Sequence, residues 1–280
     1  MGSEVRPANR RRSTRRLRFA ERVFGHRVST VRRAWWRFRA ATPWEPNRAL
    51  RVARRFVRTK GLTVRKGPFA GMKYHRGAIG ATVLVPKLIG SYEQELHPIL
   101  DEVIRQSCPT VINIGSGDGY YAIGLALKLP DAQVHAFELD CAFRGLSAKM
   151  ASTNDVADRV TLHGPATAKA LARVVRPPVF VLCDCEGCEV EVLDPAVVPP
   201  LKTASILVEL HEFVKRGISE RVMTRFRSTH TIQVIDSEPR DPRAYEELVV
   251  LSERDAALAV DEFRPERMQW AWMKPRTTIL

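Results

Sequence analysis

Three glycines at alternate positions, Gly115, Gly117 and Gly119, join two apolar runs, and this junction constrains the fold more than any other stretch. Val111, Ile112 and Ile114 precede it without a charge among them, as in a strand buried on both faces. Tyr120 to Lys128 follows as an apolar helix. Glycine reaches positive φ without the steric cost other residues carry, and it lets backbone approach a ligand closely. A strand that turns through such a loop directly into a helix, and a next strand that ends in an acid, Glu138, form the nucleotide-side half of a Rossmann-like fold.

The rest of the chain repeats the alternation. Strands are predicted at 110–114, 133–139, 159–163, 179–183, 205–210, 231–235 and 269–273. Helices are predicted at 93–106, 120–128, 142–152, 168–173, from about 190, and at 219–225. Several strands are almost wholly apolar, which indicates a mostly parallel sheet with helices on both faces. Residues 62–89 read as short strands or loops. No run of about 18 apolar residues crosses a membrane, and no apolar h-region follows the basic N-terminus.

Charge divides the chain. Residues 1–60 hold 19 Lys/Arg and 3 acidic residues, whereas the remainder holds 26 and 28. A basic extension over 1–60 is therefore expected before a near-neutral domain over 61–280. Residues 1–16 have little to bury. Leu17, Phe19, Val23, Phe24, Val28, Val31, Trp35 and Trp36 recur among arginines at helical spacing, and a further helix is expected over 47–57. Three readings of this region stay open: a helical cap packed on the core, a helix lying on an anionic membrane surface, or an RNA-docking arm. The five cysteines, Cys108, Cys141, Cys183, Cys185 and Cys188, do not read as a disulfide framework in a chain of 280 residues, and a reducing, cytoplasmic setting is expected, with peripheral membrane association through the arm left open.

A dinucleotide fingerprint needs a glycine three positions after Gly117, and this chain has Tyr120 there. S-adenosyl-L-methionine carries no phosphate, so the acid Asp118 in the turn is better tolerated. Glu138 at the end of the second strand can accept hydrogen bonds from ribose hydroxyls. At the far end of the sheet, Asp184 and Glu186 follow the fourth strand. Glu209 and His211 share one face at the end of the fifth. If these strands are neighbours, His211 can take a proton from a hydroxyl while Asp184 or Glu209 orients it. Alternatively, Asp184, Glu209 and His211 can hold a divalent metal that lowers the hydroxyl pKa, or Glu209 is a structural acid. Tyr74, Glu186 and Arg264 are candidates for the acceptor pocket. Trp270 and Trp272 belong either to that pocket or to the last core strand. Three cysteines cannot complete a four-ligand zinc site, and Cys183 and Cys185 are expected to pack as small apolar residues.

Three segments carry a resemblance: 113–121 (NIGSGDGYY), 184–193 (DCEGCEVEVL) and 208–211 (VELH). In order and spacing, the chain resembles class I S-adenosylmethionine-dependent methyltransferases, and within them the FkbM-like group, over about residues 90–275. The cysteines beside Asp184 and the arginine-rich extension depart from that pattern. The resemblance implies a seven-stranded sheet, usually with an antiparallel last strand, and methyl transfer most often to oxygen. It also implies cofactor contacts from Asn113, Gly115, Ser116, Gly117, Asp118, Tyr120, Glu138 and Asp184. The expected activity is methylation of a hydroxyl on a small molecule, a sugar or natural product. The alternatives are an RNA or protein methyltransferase that docks through 1–60, and a non-catalytic cofactor-binding or scaffold protein.

Overall fold

The computed structural model describes residues 46–79, 83–264 and 266–276. The reading of residues 1–40 lies outside them. Helix α1 (Pro46–Lys60) is followed by α2 (Leu84–Ile89) and α3 (His97–Arg105). The alternating part comprises β1 (Thr110–Ile114), α4 (Tyr120–Lys128), β2 (Gln133–Phe137), α5 (Cys141–Thr153), β3 (Val160–His163) and α6 (Ala168–Val174). It continues with β4 (Val179–Cys183), α7 (Glu189–Val192), β5 (Ser205–Leu210), α8 (Ile218–Phe226), β6 (His230–Asp236), α9 (Glu253–Val260) and β7 (Gln269–Pro275).

The seven strands form one sheet in the order β3-β2-β1-β4-β5-β7-β6. The first five strands in that order are mutually parallel, and β7 runs antiparallel between β5 and β6. This is the Rossmann-like sheet expected from the sequence, with the antiparallel last strand. Alternate residues of each strand supply the two cores. Val111, Leu182 and Leu207 face one layer, and Ile112, Ile114, Val181 and Val208 face the other. From β1 the chain builds outward through β2 and β3, then returns to place β4 on the other side. The carboxyl ends of β1 and β4 therefore flank the topological switch point, where open parallel sheets leave a ligand crevice.

Several local expectations need correction. Residues 84–89 form a helix rather than a strand or loop; Pro86 is tolerated because it lies in the first turn. The helix expected from Glu93 begins at His97, with Pro98 in its first turn, after a short 3₁₀ segment (Gln94–Leu96) preceded by Glu93 at φ 46°. Strand β2 stops at Phe137, so Glu138 stands just past the strand, and Asp140 caps α5 by accepting from Ala142 N. Helix α9 was not anticipated. Trp270 and Trp272 are buried in the core on β7, not presented to a pocket.

Helix α1 is strongly amphipathic. Val52, Ala53 and Phe56 are buried in the same core as β1 and α4, whereas Arg51, Arg54, Arg55 and Arg58 are exposed. Among the described residues, no helix is long and apolar enough to cross a membrane.

Candidate active site

The glycine loop is held by its neighbours before any ligand is considered. Gly115 N and Ser116 N donate to Phe137 O at 2.9 and 3.0 Å. The three glycines all take positive φ, at 79°, 55° and 93°. Their roles differ. A Cβ on Gly115 would lie 1.6 Å from Asp184 O, so this glycine exists to let the loop touch the segment after β4. A Cβ on Gly117 would meet nothing within 4 Å. Gly115→Ala is therefore expected to cost at least about 2 kcal/mol more stability than Gly117→Ala, because backbone rather than a flexible side chain must move. Chemical denaturation of the two variants checks this, and equal losses would refute it.

Glu138 turns back onto the loop. Its Oε2 accepts from Gly117 N at 2.9 Å and its Oε1 from Asp140 N at 2.7 Å. A carboxylate has about four acceptor positions, so each oxygen retains capacity for a hydroxyl. Asn113 is 1% exposed, and neither polar atom of its side chain has a partner; buried Ser116 Oγ has none either. Buried polar atoms are normally satisfied, so these orphans beside an open glycine fit a polar ligand. Asp118 is engaged: Lys87 Nζ lies 2.9 and 3.1 Å from its two oxygens. The same ammonium stands 5.0 and 5.3 Å from the ring centroids of Tyr92 and Tyr120. Tyr74 is buried, and its phenol is pushed well above the usual range by burial and by nearby Asp118. Glu186 is exposed in the loop after β4, at φ 59°.

Strands β4 and β5 are adjacent, so the convergence expected of Asp184, Glu209 and His211 occurs. One ligand atom from each lies within 4.8 Å of the others. His211 Nε2 stands 3.3 Å from Glu209 Oε2 and 3.5 Å from Asp184 Oδ1. Its other ring nitrogen is taken by a residue that sequence reasoning did not single out. Glu189, fully buried at the start of α7, has Oε1 2.6 Å from His211 Nδ1. Nothing local to its segment marks out Glu189, and only a contact across 22 residues reveals its partner. Burial works against a charged His211, but Glu209 and Glu189 outweigh it and hold the imidazole well above its usual pKa. Burial, reinforced by the Glu209 charge, raises the Asp184 carboxyl well above the ordinary range. Glu209 itself stays low: burial opposes its charge, but His211 and Arg264 overcome that.

Arg264 spans three carboxylates. Its Nη1 lies 2.5 Å from Glu209, Nη2 2.6 Å from Glu93 and Nε 2.9 Å from Glu262. All three nitrogens are thus engaged within the protein. Glu93 also accepts from Tyr121 Oη. Burial raises the Glu93 carboxyl, Arg264 pulls it down, and it settles at about 7.

The cysteines depart from expectation at one pair. Cys185 and Cys188 form a disulfide, because the turn through Glu186 and Gly187, both at positive φ, brings their Cα atoms to 5.6 Å. Cys183 is a buried free thiol, as expected.

No protein-family model and no curated protein matches the chain. Solved structures do resemble it. The O-methyltransferase TomG from Streptomyces achromogenes, involved in tomaymycin synthesis, aligns over 85% of this chain and 94% of its own, with 16% identity and a TM-score of 0.43. Rv0187 from MTB, in a cofactor-bound form, aligns over 87% and 96%, with 14% identity and a TM-score of 0.44. TrmN from Thermus thermophilus aligns over 70% and 53%, with 14% identity and a TM-score of 0.42. No activity passes to this chain from likenesses at that level.

Proposed function

We propose that this chain is an S-adenosylmethionine-dependent methyltransferase, of FkbM-like type, that acts on a hydroxyl of a small molecule. The observation that supports it most is the junction of two loops at the switch point. The open glycine loop with Glu138 lies directly against the segment that carries Asp184, which in turn meets Glu209 and His211. Asn113, Ser116, Gly117 and Glu138 would hold the cofactor, with Glu138 on its ribose. Bound there, S-adenosylmethionine supplies a methyl carbon already activated by its sulfonium.

The protein then has to orient an acceptor oxygen, exclude water and take one proton. Nε2 of His211, in its neutral form, accepts that proton. Glu189 fixes the ring through Nδ1 and stabilises the resulting imidazolium, as the orienting carboxylate does in other histidine-based sites. His211 and Arg264 hold the Glu209 carboxyl low, whereas burial and the Glu209 charge raise that of Asp184.

A second reading rests on the same geometry. Metal-bound histidines almost always give their other ring nitrogen to a carboxylate, a backbone carbonyl or a water, and Glu189 meets His211 in the first of these ways. Asp184, Glu209 and His211 would then hold a divalent ion that makes the hydroxyl more acidic. The two readings separate on chelation: proton transfer by His211 alone survives treatment with a chelator, whereas the metal-assisted reaction does not.

Calorimetry tests the cofactor assignment. S-adenosylmethionine should bind and NAD should not, and Glu138→Ala should weaken S-adenosylmethionine by about 10²-fold through loss of charged hydrogen bonds. Binding of NAD alone, or full affinity in the variant, would defeat the proposal. Incubation with methyl-labelled cofactor and cell extract then identifies the acceptor.

A further inference from the structure

The exposed side of α1 is a separate feature that the methyl-transfer chemistry does not use. Arg51, Arg54, Arg55 and Arg58 follow i, i+3, i+4, i+7 spacing, which puts them on one stripe of the helix. All four are exposed, and none forms an ion pair among the described residues. The helix contains no acidic residue to neutralise them. At 1.5 Å per residue the stripe is about 10 Å long. Beside it, Arg48, Arg51, Val52, Arg55 and Asp255 line a cavity of about 340 Å³. Arg48 is bound to Asp255 at 2.9 Å, and Arg55 also acts on that carboxylate, so the lining sets three guanidinium groups against one carboxylate.

Four like charges this close repel one another. A chain that keeps them together on a well-packed helix presents a site for polyanions. Two polyanions are relevant: a phosphate backbone and an anionic lipid surface. A helix that lies in a bilayer interface must give its apolar face to the lipid. In α1 that face is already spent, because Val52, Ala53 and Phe56 are buried in the protein core. The exposed stripe offers guanidinium groups without an aromatic or aliphatic anchor among them. Guanidinium forks suit phosphate oxygens bidentately.

We infer that the Arg51, Arg54, Arg55 and Arg58 stripe of α1 is a docking surface for the phosphate backbone of a nucleic acid. It binds by charge and carries no base-reading element, so its affinity is independent of sequence.

The test uses the full chain and three proteins: wild type, a variant with Arg51, Arg54, Arg55 and Arg58 changed to Gln, and a control with the exposed Arg173, Lys202, Arg216 and Arg221 changed to Gln. The two variants lose equal charge. Binding of a mixed-sequence single-stranded RNA is measured across salt, in parallel with vesicles of phosphatidylserine and phosphatidylcholine. Each phosphate contact contributes about 0.7 to the slope of log K against log salt for single strands. The stripe variant should lose about 3 from that slope and on the order of 10²-fold in RNA affinity at moderate salt, while the control keeps the wild-type slope. Melting temperatures of both variants should match wild type, since the substituted side chains are exposed. An unchanged slope in the stripe variant, an equal loss in the control, or wild-type binding to vesicles without binding to RNA would each overturn the inference.

Discussion

Replacing His211 with alanine is expected to reduce turnover by about 10²–10⁴-fold, the usual contribution of a positioned acid–base group, and to leave S-adenosylmethionine affinity within a few-fold of wild type. The residue lies at the end of β5, across the junction from the glycine loop, so the two properties separate. The pH dependence gives a sharper check. In the proposed mechanism His211 is a base only when neutral, and its folded pKa is well above that of an ordinary histidine. Turnover should therefore climb as pH rises above the ordinary histidine midpoint. Glu189→Gln removes one of the charges that raise this pKa, so the ascending limb should move to lower pH. The same shift makes a stability statement. A histidine with a raised folded pKa contributes stability that is fully present below its unfolded value near 6.5 and is lost as pH rises through the folded value. Unaltered turnover in His211→Ala would remove the residue from the mechanism. A Glu189→Gln profile that superimposes on wild type would deny Glu189 its role in positioning the ring.

Arg264→Leu should destabilise the fold by about 3–5 kcal/mol, the cost of stranding buried charges when a partner is removed. The substitution leaves Glu93, Glu209 and Glu262 facing one another, all buried. Glu209 keeps His211 at 3.3 Å and Glu262 keeps Arg240 at 3.1 Å, so the main relief left to Glu93 is protonation. The penalty should thus shrink in acid and grow with rising pH, and Glu93, at about 7 even in the intact network, should be the first to take up a proton. Denaturation of the variant and wild type at pH 5 and pH 8 measures this. A gap below about 1 kcal/mol, or one that does not widen with pH, would show that the network is not what holds these carboxylates.

The strands were the most legible part of the sequence because their signal is local. The runs at 110–114, 179–183 and 205–210 are apolar, short and bounded by turn residues, and all three fold as read. The glycine turn was equally plain, although which glycine serves packing and which faces open space depends on Asp184, a residue 69 positions away. Local pattern misled at Pro86, where a proline within a six-residue segment concealed a helix. It also overextended β2 through Glu138 and Leu139, which lie past the last strand residue. The candidate site was half legible. Asp184, Glu209 and His211 follow from strand ends and the two-residue period. Glu189 on His211, Lys87 on Asp118 and Glu93 on Arg264 are contacts between distant segments, and charge patterning along the chain carries no trace of them.

The contact between the α-carbon of Gly115 and the carbonyl of Asp184 has a further consequence. With no side chain between them, the two segments sit in direct backbone contact, so in the proposed reaction the spacing between the cofactor loop and the strand-end cluster is set by the sheet itself. In the proposed reaction, acceptors of different size are then accommodated at the rim, where Glu186 is exposed. Attempts to broaden what the protein accepts should begin there and leave the seam alone.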